Sequence, residues 1–343
     1  MQNDTRIAVD LAKSVFQLAI SDRPGRVSGR ARLRRAQFLP FLAQQTPALV
    51  LMEACGSAHF WARRIEQLGH TVRLLPPHLV HPYVHGNKTD RNDTDAMLEA
   101  GRNEAIHPVP IKTVTQQVLT SLHRMRSAWI AERTARLNMI RGLLREFGLF
   151  IPVGSHQVVP AVWALLEDAD SDLPNALRPF FAEACHELRG IEARIKAVER
   201  QLEALAQQLP LVSHLLTIPG IGLLTATALF AFIGDIHRFP SPRHLASWLG
   251  LTPREFSSGL KRRLGRISKR GDGYLRTLLI HGARSVLLHA RTKQPDHLRR
   301  WAHALAQVQP HNKAAVAVAN KLARIVWAVW TRLEDYGHHR RAA

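Results

Sequence analysis

The stretch Thr5-Arg-Ile-Ala-Val-Asp10-Leu-Ala12 decides the fold of the first half of the chain. Its apolar run predicts a buried β-strand, and that strand ends on an acidic residue. Two further strands are predicted at residues 15–20 and 26–33, separated by a Pro-Gly turn. The chain is therefore expected to open with three consecutive strands that begin as a hairpin.

Helices and strands alternate after this hairpin. The predicted elements are a helix at 36–45, a strand at 48–52, a helix at 57–68, a strand at 71–75 and a helix at 90–101. The order βββαβαβα is typical of a mixed sheet with helices on its faces. The sequence therefore predicts an α/β domain over residues 1–112.

Four acidic residues fall at the ends of these elements. Asp10 and Glu53 each follow an apolar strand. Asp90 and Asp93 are spaced i, i+3, which places them on one face of a helix. Carboxylates gathered from strand ends and a helix suit hard divalent cations such as Mg²⁺, and paired ions of this kind cut phosphodiester bonds. Asp95 points elsewhere on the same helix and is a weaker candidate.

A structural explanation of the same acidic residues stays open. Asp10 and Glu53 then merely end their strands, and Asp90 and Asp93 serve as caps at the start of a helix. Any one acid alone favours this explanation. The occurrence of all four in this order favours a metal site.

The charge of the chain is strongly positive and unevenly distributed. Its 343 residues include 47 Lys and Arg against 27 Asp and Glu, a formal net charge of +20. Residues 1–150 carry a net charge of +9, residues 151–210 of −4, and residues 211–343 of +15. Two basic ends around an acidic middle indicate two nucleic-acid-facing domains joined by a connector.

The compartment is expected to be the bacterial cytoplasm, in association with the nucleoid. The two cysteines, Cys55 and Cys185, lack the spacing of a metal site and fit a reducing environment. The first residues do not have the pattern of a signal peptide. Residues 215–234 are uncharged, but a Pro-Gly-Ile-Gly sequence interrupts them, so no membrane span is predicted.

The middle of the chain, residues 113–210, is predicted to be a connector of long helices. Residues 113–148 indicate one long helix. Apolar residues then recur in steps of three and four from Leu188 to Leu209, the heptad seam of a coiled coil. The seam can pair with another protomer or fold back on residues 113–148, and intermolecular pairing is slightly favoured.

Residues 211–343 are predicted to form an all-α C-terminal domain. Within it, Pro219-Gly-Ile-Gly222 joins two helices as a helix-hairpin-helix unit. The backbone N–H groups around Gly220 and Gly222 are free to approach a phosphate, because no side chain stands in the way. A plain helix turn is the alternative, since glycine is common at helix ends.

A basic loop follows the hairpin. Ser257 and Ser258 stand within it just before Gly259, and a serine hydroxyl becomes a nucleophile only when its proton is taken or displaced. Taken alone, the chemistry favours serines that merely bond phosphates or cap a turn. The basic residues expected to bind nucleic acid here are Arg254, Lys261, Arg262, Arg263, Arg266, Lys269 and Arg270.

The acidic set, the Pro-Gly-Ile-Gly hairpin and the Ser-Gly basic loop, in this order, resemble the insertion-sequence-110 family of transposases. The resemblance covers residues 5–335 and is nearest to the eleven-eleven subgroup. The family's Asp-Glu-Asp-Asp pattern, in a RuvC-like (RNase H-like) domain, falls on Asp10, Glu53, Asp90 and Asp93. Its nucleophilic serine, in a Pro-Arg-x-x-x-Ser-Gly context, falls on Ser258, although a slip to Ser257 stays open.

The resemblance implies a recombinase that excises and inserts a mobile element. It implies Mg²⁺ held by the four carboxylates and a covalent link between Ser258 and DNA that needs no ATP. It also implies a non-coding guide RNA from the element that pairs with target and donor DNA. Because two DNA sites must be brought together, a dimer or tetramer is expected.

Two other functions remain as alternatives. A Mg²⁺-dependent nuclease resembling a Holliday-junction resolvase uses the acidic residues with water alone, and Ser258 is then a phosphate contact. A non-catalytic protein with two basic domains binds nucleic acid without cleaving it.

Overall fold

The computed structural model describes residues 5–87, 89–290 and 296–337. The chain divides into two compact units, Met1–Val114 and Thr115–Ala343. Each unit contains its own buried apolar clusters.

The first unit is built on a five-stranded sheet. Its strands are β1 (Arg6–Asp10), β2 (Val15–Ser21), β3 (Gly29–Arg34), β4 (Leu49–Glu53) and β5 (Thr71–Leu75). Their order across the sheet is β3-β2-β1-β4-β5. Strand β2 is antiparallel to both β1 and β3, whereas β4 is parallel to β1 and β5 is parallel to β4. The predicted mixed sheet, with its opening hairpin, is confirmed.

Helices cover both faces of this sheet. They are α1 (Arg35–Ala43), α2 (Ala58–Glu66), α3 (Pro77–Val80) and α4 (Asp90–Ala100). Because side chains alternate along a strand, neighbouring residues of β1 meet different helices. Ile7 and Val9 pack in the cluster that includes residues of α1 and α2, whereas Ala8 packs in the cluster that includes residues of α3 and α4.

Two long helices and a short one begin the second unit: α5 (Val114–Arg145), α6 (Val158–Glu167) and α7 (Arg178–Ala206), of which α6 is the short one. Helices α5 and α7 are antiparallel, as two ion pairs show: Arg126 to Glu199 at 2.7 Å and Arg136 to Glu187 at 3.1 Å. These contacts tie the connector helices to one another.

The apolar seam of α7 is buried within the chain. Its N-terminal part packs with residues of α5 and α6, and its C-terminal part packs with residues of α5 and α9. The exposed fraction of Leu188 and Leu202 is 0%. The preference for pairing with another protomer is therefore wrong for these residues, because helices of the same chain already cover them.

The remaining helices are α8 (Pro210–Leu216), α9 (Leu223–Ile233), α10 (Pro242–Trp248), α11 (Gly273–Leu288), α12 (His297–Val308) and α13 (His311–Arg332). Together they enclose the largest apolar cluster of the unit. Two short strands, β6 (Pro253–Glu255) and β7 (Leu264–Ile267), pair in antiparallel fashion. The prediction of an all-α domain is thus wrong for the basic loop. Strands of three and four residues with exposed basic side chains lack the apolar alternation by which a strand is recognised.

Across the described ranges, no helix is both long enough and apolar enough to cross a membrane. The uncharged residues 215–234 instead contribute to α8, the hairpin and α9.

Candidate functional site

Asp10 and Glu53 lie side by side where two inner strands of the sheet end, a place called the acidic edge below. They are the last residues of the adjacent parallel strands β1 and β4, and the preceding residues Val9 and Met52 are in register. Neighbouring strands lie about 4.8 Å apart, so the two acidic residues start from adjacent backbone positions. Ala8 lies two residues before Asp10, and Leu51 lies two residues before Glu53. Both Ala8 and Leu51 pack in the cluster that includes residues of α4. Both carboxylates therefore lie on the α4 face of the sheet.

Helix α4 brings its first turn to the same edge. Arg6, at the start of β1, donates a hydrogen bond from Nη1 to the carbonyl oxygen of Gly101 at 3.0 Å, just beyond the end of α4. The helix consequently runs antiparallel to β1. Eleven helical residues and five strand residues each span about 16 Å, so the first turn, with Asp90 and Asp93, lies toward the end of β1.

The backbone elements converge, but the side chains do not form a ready ligand set. Within the part of the chain that the structure describes, no three His, Cys, Asp or Glu residues form a group that could hold a metal ion. Asp10, Glu53 and Asp93 are half-buried, and Asp90 is exposed. The carboxylate oxygens are the donors that a hard divalent cation prefers, so the donor chemistry fits such a cation. Binding one requires side-chain rotation.

The capping explanation for the helical acids is not needed. Thr89 is the N-cap of α4, and its Oγ1 accepts the bond from the Asn92 backbone N–H at 3.2 Å. Asp90 and Asp93 lie in the first turn, where negative charge is favoured by the helix dipole. Asp95 is bonded differently: both of its carboxylate oxygens lie 2.8 Å from Nη2 of Arg30. This ion pair gives Asp95 a structural role.

The basic loop is an exposed β-hairpin whose tip carries Ser258. Ser258 and Lys261 exchange backbone hydrogen bonds of 3.3 and 3.2 Å, which leaves Gly259 and Leu260 as the turn. Gly259 has a φ of +55°, the positive value expected at the first central position of a type II′ turn. Leu260 is fully exposed. The structure thus presents Ser258 beside the outermost point of the hairpin.

The two adjacent serines differ in their bonding. The Ser257 hydroxyl donates to Oε1 of Glu255 at 2.7 Å and accepts from the backbone N–H of Arg263 at 3.1 Å. In the described ranges, no group is hydrogen-bonded to the Ser258 hydroxyl. Ser257 therefore helps to hold the hairpin together, while the Ser258 hydroxyl is available to a ligand.

Two glycines lock the base of this hairpin to the helical core. Gly250 has a φ of +71°, and a Cβ placed there would lie 2.1 Å from the carbonyl oxygen of Arg270. Gly271 has a φ of +88°, and a Cβ there would lie 1.9 Å from the carbonyl oxygen of Trp248. The backbone segments at the base of the hairpin therefore touch one another, and a side chain at either glycine would force them apart.

The two hairpin glycines of residues 219–222 also differ. Gly220 has a φ of +86° and faces α11, where a Cβ would lie 2.7 Å from the carbonyl oxygen of Gly282. Close packing of backbones thus explains the glycine at 220. No heavy atom lies within 4 Å of a Cβ built at Gly222, so open space adjoins this residue.

A buried polar cluster that the sequence did not reveal ties α5 to the C-terminal helices. His123 is 1% exposed. Its Nδ1 lies 2.9 Å from the Tyr274 hydroxyl on α11, and its Nε2 lies 3.0 Å from Oγ1 of Thr227 on α9. Thr227 donates its own proton to the Leu223 carbonyl, so Nε2 donates to Thr227 and Nδ1 accepts from Tyr274. A lone histidine on a helix gives no sequence signal of such distant partners.

Acid is expected to destabilise the second unit through His123. Burial, with a further contribution from Arg126, lowers the pKa of His123 to about 4 from its usual 6.5. The unfolded chain therefore binds the proton more readily between these values, so stability is full above about pH 6.5 and is lost as the pH falls toward 4. The loss in the free energy of unfolding over this pH range is about 3 kcal/mol. Urea unfolding at pH 7, 5.5 and 4.5 measures it. His123→Gln should be less pH-dependent than the wild type, and equal pH dependence of the two proteins would contradict this role.

Comparison with known proteins identifies the family. Residues 7–148 match a transposase domain model of the DEDD type, and residues 212–302 match a model described as Transposase IS116/IS110/IS902 family. The match to a DEDD domain indicates dependence on a divalent metal.

Relatives match along nearly the whole chain. A probable family 20 transposase of Pseudomonas aeruginosa is 46% identical over 97% of this chain and 99% of its own length. The transposase for insertion sequence element IS1111A of Coxiella burnetii is 40% identical, over 96% and 90%. The transposase for insertion sequence element IS1328 of Yersinia enterocolitica is 37% identical, over 97% and 98%. The chain therefore belongs to the IS116/IS110/IS902 family of insertion-sequence transposases, enzymes that cut and rejoin DNA.

Proposed function

We propose that this transposase joins DNA by a serine-linked intermediate and that Asp10, Glu53, Asp90 and Asp93 bind Mg²⁺ for the reaction. The single observation that carries the serine assignment is the exposed Ser258 hydroxyl at the tip of a basic hairpin, beside a neighbour whose hydroxyl is already bonded. The metal assignment is supported by the adjacent strand ends that carry Asp10 and Glu53, by the first turn of α4 that carries Asp90 and Asp93, and by a strand order that suits an RNase H-like (RuvC-like) domain.

The proposed chemistry conserves the number of phosphodiester bonds. Oγ of Ser258 loses its proton and forms an ester with the scissile phosphorus, while the bond from phosphorus to the sugar oxygen breaks and that oxygen takes up a proton to leave as a hydroxyl. A sugar hydroxyl of the other DNA end later attacks the same phosphorus and releases the serine, so no ATP is needed. A divalent metal supplies stabilisation of the charge that develops on the phosphate oxygens.

The surroundings of Ser258 suit a phosphate. Lys261, Arg262 and Arg263 follow within five residues, and all three side chains are exposed. Arg254 is partly engaged, since its guanidinium donates to the Ser268 carbonyl at 3.1 Å. Cations on this hairpin attract the DNA backbone and stabilise the anionic transition state of the attack. We further propose that Gly222 and Gly220 approach phosphates through their backbone, as in a helix-hairpin-helix.

We also propose that a non-coding RNA guides target choice, that the protein belongs to the eleven-eleven subgroup and that it acts as a dimer or tetramer. The 40% identity to the transposase for element IS1111A supports the subgroup. If an RNA recognises the DNA sequence by base pairing, the protein needs to contact only the backbone of the duplexes and recognise their shape. The excess of positive charge in the chain is consistent with binding to nucleic-acid backbones.

The experiment that tests the serine assignment is a search for a covalent complex of protein and DNA. The purified protein, expressed together with the DNA that flanks its gene, is incubated with labelled flanking DNA and Mg²⁺, then resolved on a denaturing gel. A slow species that survives denaturation is expected, and its peptide map should place the nucleotide on Ser258. The same preparation is used to sequence the RNA that co-purifies, where one discrete RNA from the flank is expected.

A Mg²⁺-dependent resolvase-like nuclease is the second candidate, and the half-buried acidic edge favours it equally. It predicts cleaved DNA with no covalent species, and only the modest effect of a lost phosphate contact when the serine is removed. Cleavage of branched DNA without a protein adduct would replace the serine mechanism with this one.

A further inference from the structure

We propose that the groove between β7 and α13, which is lined in part by the strands of the basic hairpin, binds a single unstacked nucleotide of DNA. The groove has a volume of about 740 Å³ and is lined by residues of β6, β7, α12 and α13. The proposal goes beyond the serine and metal chemistry, because it concerns how a DNA strand is held and not how it is cut.

The floor of the groove is apolar. It is formed by Leu251, Ile267, Val316 and Ala317, and Trp301 of α12 stands at one side. Val316, Ala317 and Trp301 are half-buried, so their apolar surface is accessible from outside. A nucleobase has two apolar faces, which a stacked duplex conceals, and such faces bind well to aromatic and aliphatic surfaces.

The rim of the groove is cationic. Lys313 and Arg324 line the groove from α13, about three helical turns apart, and Arg266 lines it from β7. Lys321 lies with Nζ 5.0 Å from the centre of the Trp301 ring, an interaction that holds both side chains in place. No acidic residue lines the groove among the residues that the structure describes. An apolar floor with positive charge on both sides matches a base flanked by its two phosphates.

Polar groups on the same helix face suit the edge of a base. Asn320 lines the groove, and its amide nitrogen donates to the Leu251 carbonyl at 3.2 Å. That bond uses one amide proton, so the Asn320 carbonyl oxygen remains able to accept a hydrogen bond. Asn312 lies at the other end of the groove, and its oxygen accepts from Arg284 at 3.4 Å. The groove therefore offers both a surface for the face of a base and groups for its edge.

The position of the groove indicates DNA as the occupant. Strand β7 leads back from the turn that carries Ser258, and Arg266 is five residues beyond Lys261, the backbone partner of Ser258. Five strand residues span about 17 Å, a distance of a few nucleotides along an extended strand. A strand end released at the hairpin tip is thus within reach of the groove. The choice of DNA as the occupant rests on the proposed reaction at Ser258.

The test measures the affinity of the full-length protein for a short fluorescent single strand and for the matching duplex, both with a chelator so that no cleavage occurs. Ala317→Trp fills the groove without changing charge. It should weaken binding of the single strand about tenfold and change duplex binding less than twofold, because a stacked duplex has no base to insert. The matched control is Ala304→Trp, since Ala304 is exposed on α12 and does not line the groove.

A second readout does not depend on a bulky substitution. A single strand with one 2-aminopurine should change its fluorescence on binding to the wild type, because the fluorescent base leaves the stack. Lys313→Gln with Arg324→Gln should lower the dependence of affinity on salt by one to two phosphate contacts, relative to Lys196→Gln on the exposed side of α7.

Three outcomes would overturn the proposal. One is an equal loss of single-strand and duplex binding in Ala317→Trp, and another is no loss of either. The third is a loss confined to single-stranded RNA of the same sequence, which would assign the groove to RNA. None of these outcomes depends on Ser258 or on the acidic edge, so failure here is distinguishable from failure of the proposed reaction.

Discussion

Ser258→Ala should abolish DNA strand exchange, with a loss of at least 10³-fold, while leaving DNA binding within about twofold of the wild type. Removal of a nucleophile eliminates the covalent route, and residual activity from binding and charge alone is small. In the described part of the chain the Ser258 hydroxyl has no hydrogen-bonded partner, and Ser258→Ala keeps the backbone bonds to Lys261, so the replacement should not disturb the hairpin. The measurement is recombination of a labelled donor and target pair, with the covalent adduct followed in parallel.

Ser257→Ala is the matched control, because it removes the same atom one residue away. Loss of the Ser257 hydroxyl breaks its hydrogen bonds to Glu255 and to the Arg263 backbone. Both bonds are exposed, and each is worth about 1 kcal/mol. A modest reduction in activity is therefore expected, with the adduct still formed. The reverse pattern, in which Ser257→Ala is inactive and Ser258→Ala is active, would move the nucleophile to Ser257 and make Glu255 its base.

The fold of the first unit could be predicted from the sequence because each element carries its own signal. The strand ending at Asp10 is an uninterrupted apolar run, and β5 was predicted at the residues where it occurs. The adjacency of Asp10 and Glu53 also followed, since neighbouring parallel strands end on the same side of the sheet. The direction of α4 did not follow, because it depends on the contact between Arg6 and Gly101, which are far apart in the chain.

The second unit was predicted less well, for physical reasons that particular residues show. The basic hairpin is held by backbone bonds and by glycines such as Gly271, and such bonds leave no trace in a hydrophobic pattern. The partner of the α7 seam was misjudged because a heptad pattern reports that a face is buried and not which helix buries it. The cluster around His123 depends on three helices meeting, so no local pattern encodes it.

Asp10→Asn is expected to reduce DNA cleavage about 100-fold or more without unfolding the protein. Amide and carboxylate have nearly the same size, but the amide removes the negative charge that a hard cation requires, and metal stabilisation of a phosphoryl transition state is worth ~3 kcal/mol or more. Asp93→Asn should have a similar effect. The measurement is cleavage of labelled DNA over a Mg²⁺ titration, with thermal unfolding as the check on folding.

Asp95→Asn shows whether a cleavage defect requires the loss of a metal ligand or only the loss of a negative charge on the same helix. It lies two residues from Asp93, but it is half-exposed and paired with Arg30, so its loss should change stability by less than about 1 kcal/mol and leave cleavage unchanged. A cleavage defect in Asp95→Asn as large as that in Asp93→Asn would show that general charge, and not ligation, is responsible.

A change of metal preference gives the sharper criterion. A thiolate at position 93 is a softer ligand than a carboxylate, so Asp93→Cys should lose activity with Mg²⁺ and recover part of it with Mn²⁺. Recovery of this kind requires that residue 93 contact the ion, because a residue that only holds the helix cannot alter which ion is used. Equal activity of Asp93→Cys with both ions, or full activity of Asp10→Asn with Mg²⁺, would remove these residues from the metal site and leave the acidic edge as a purely structural feature of the sheet.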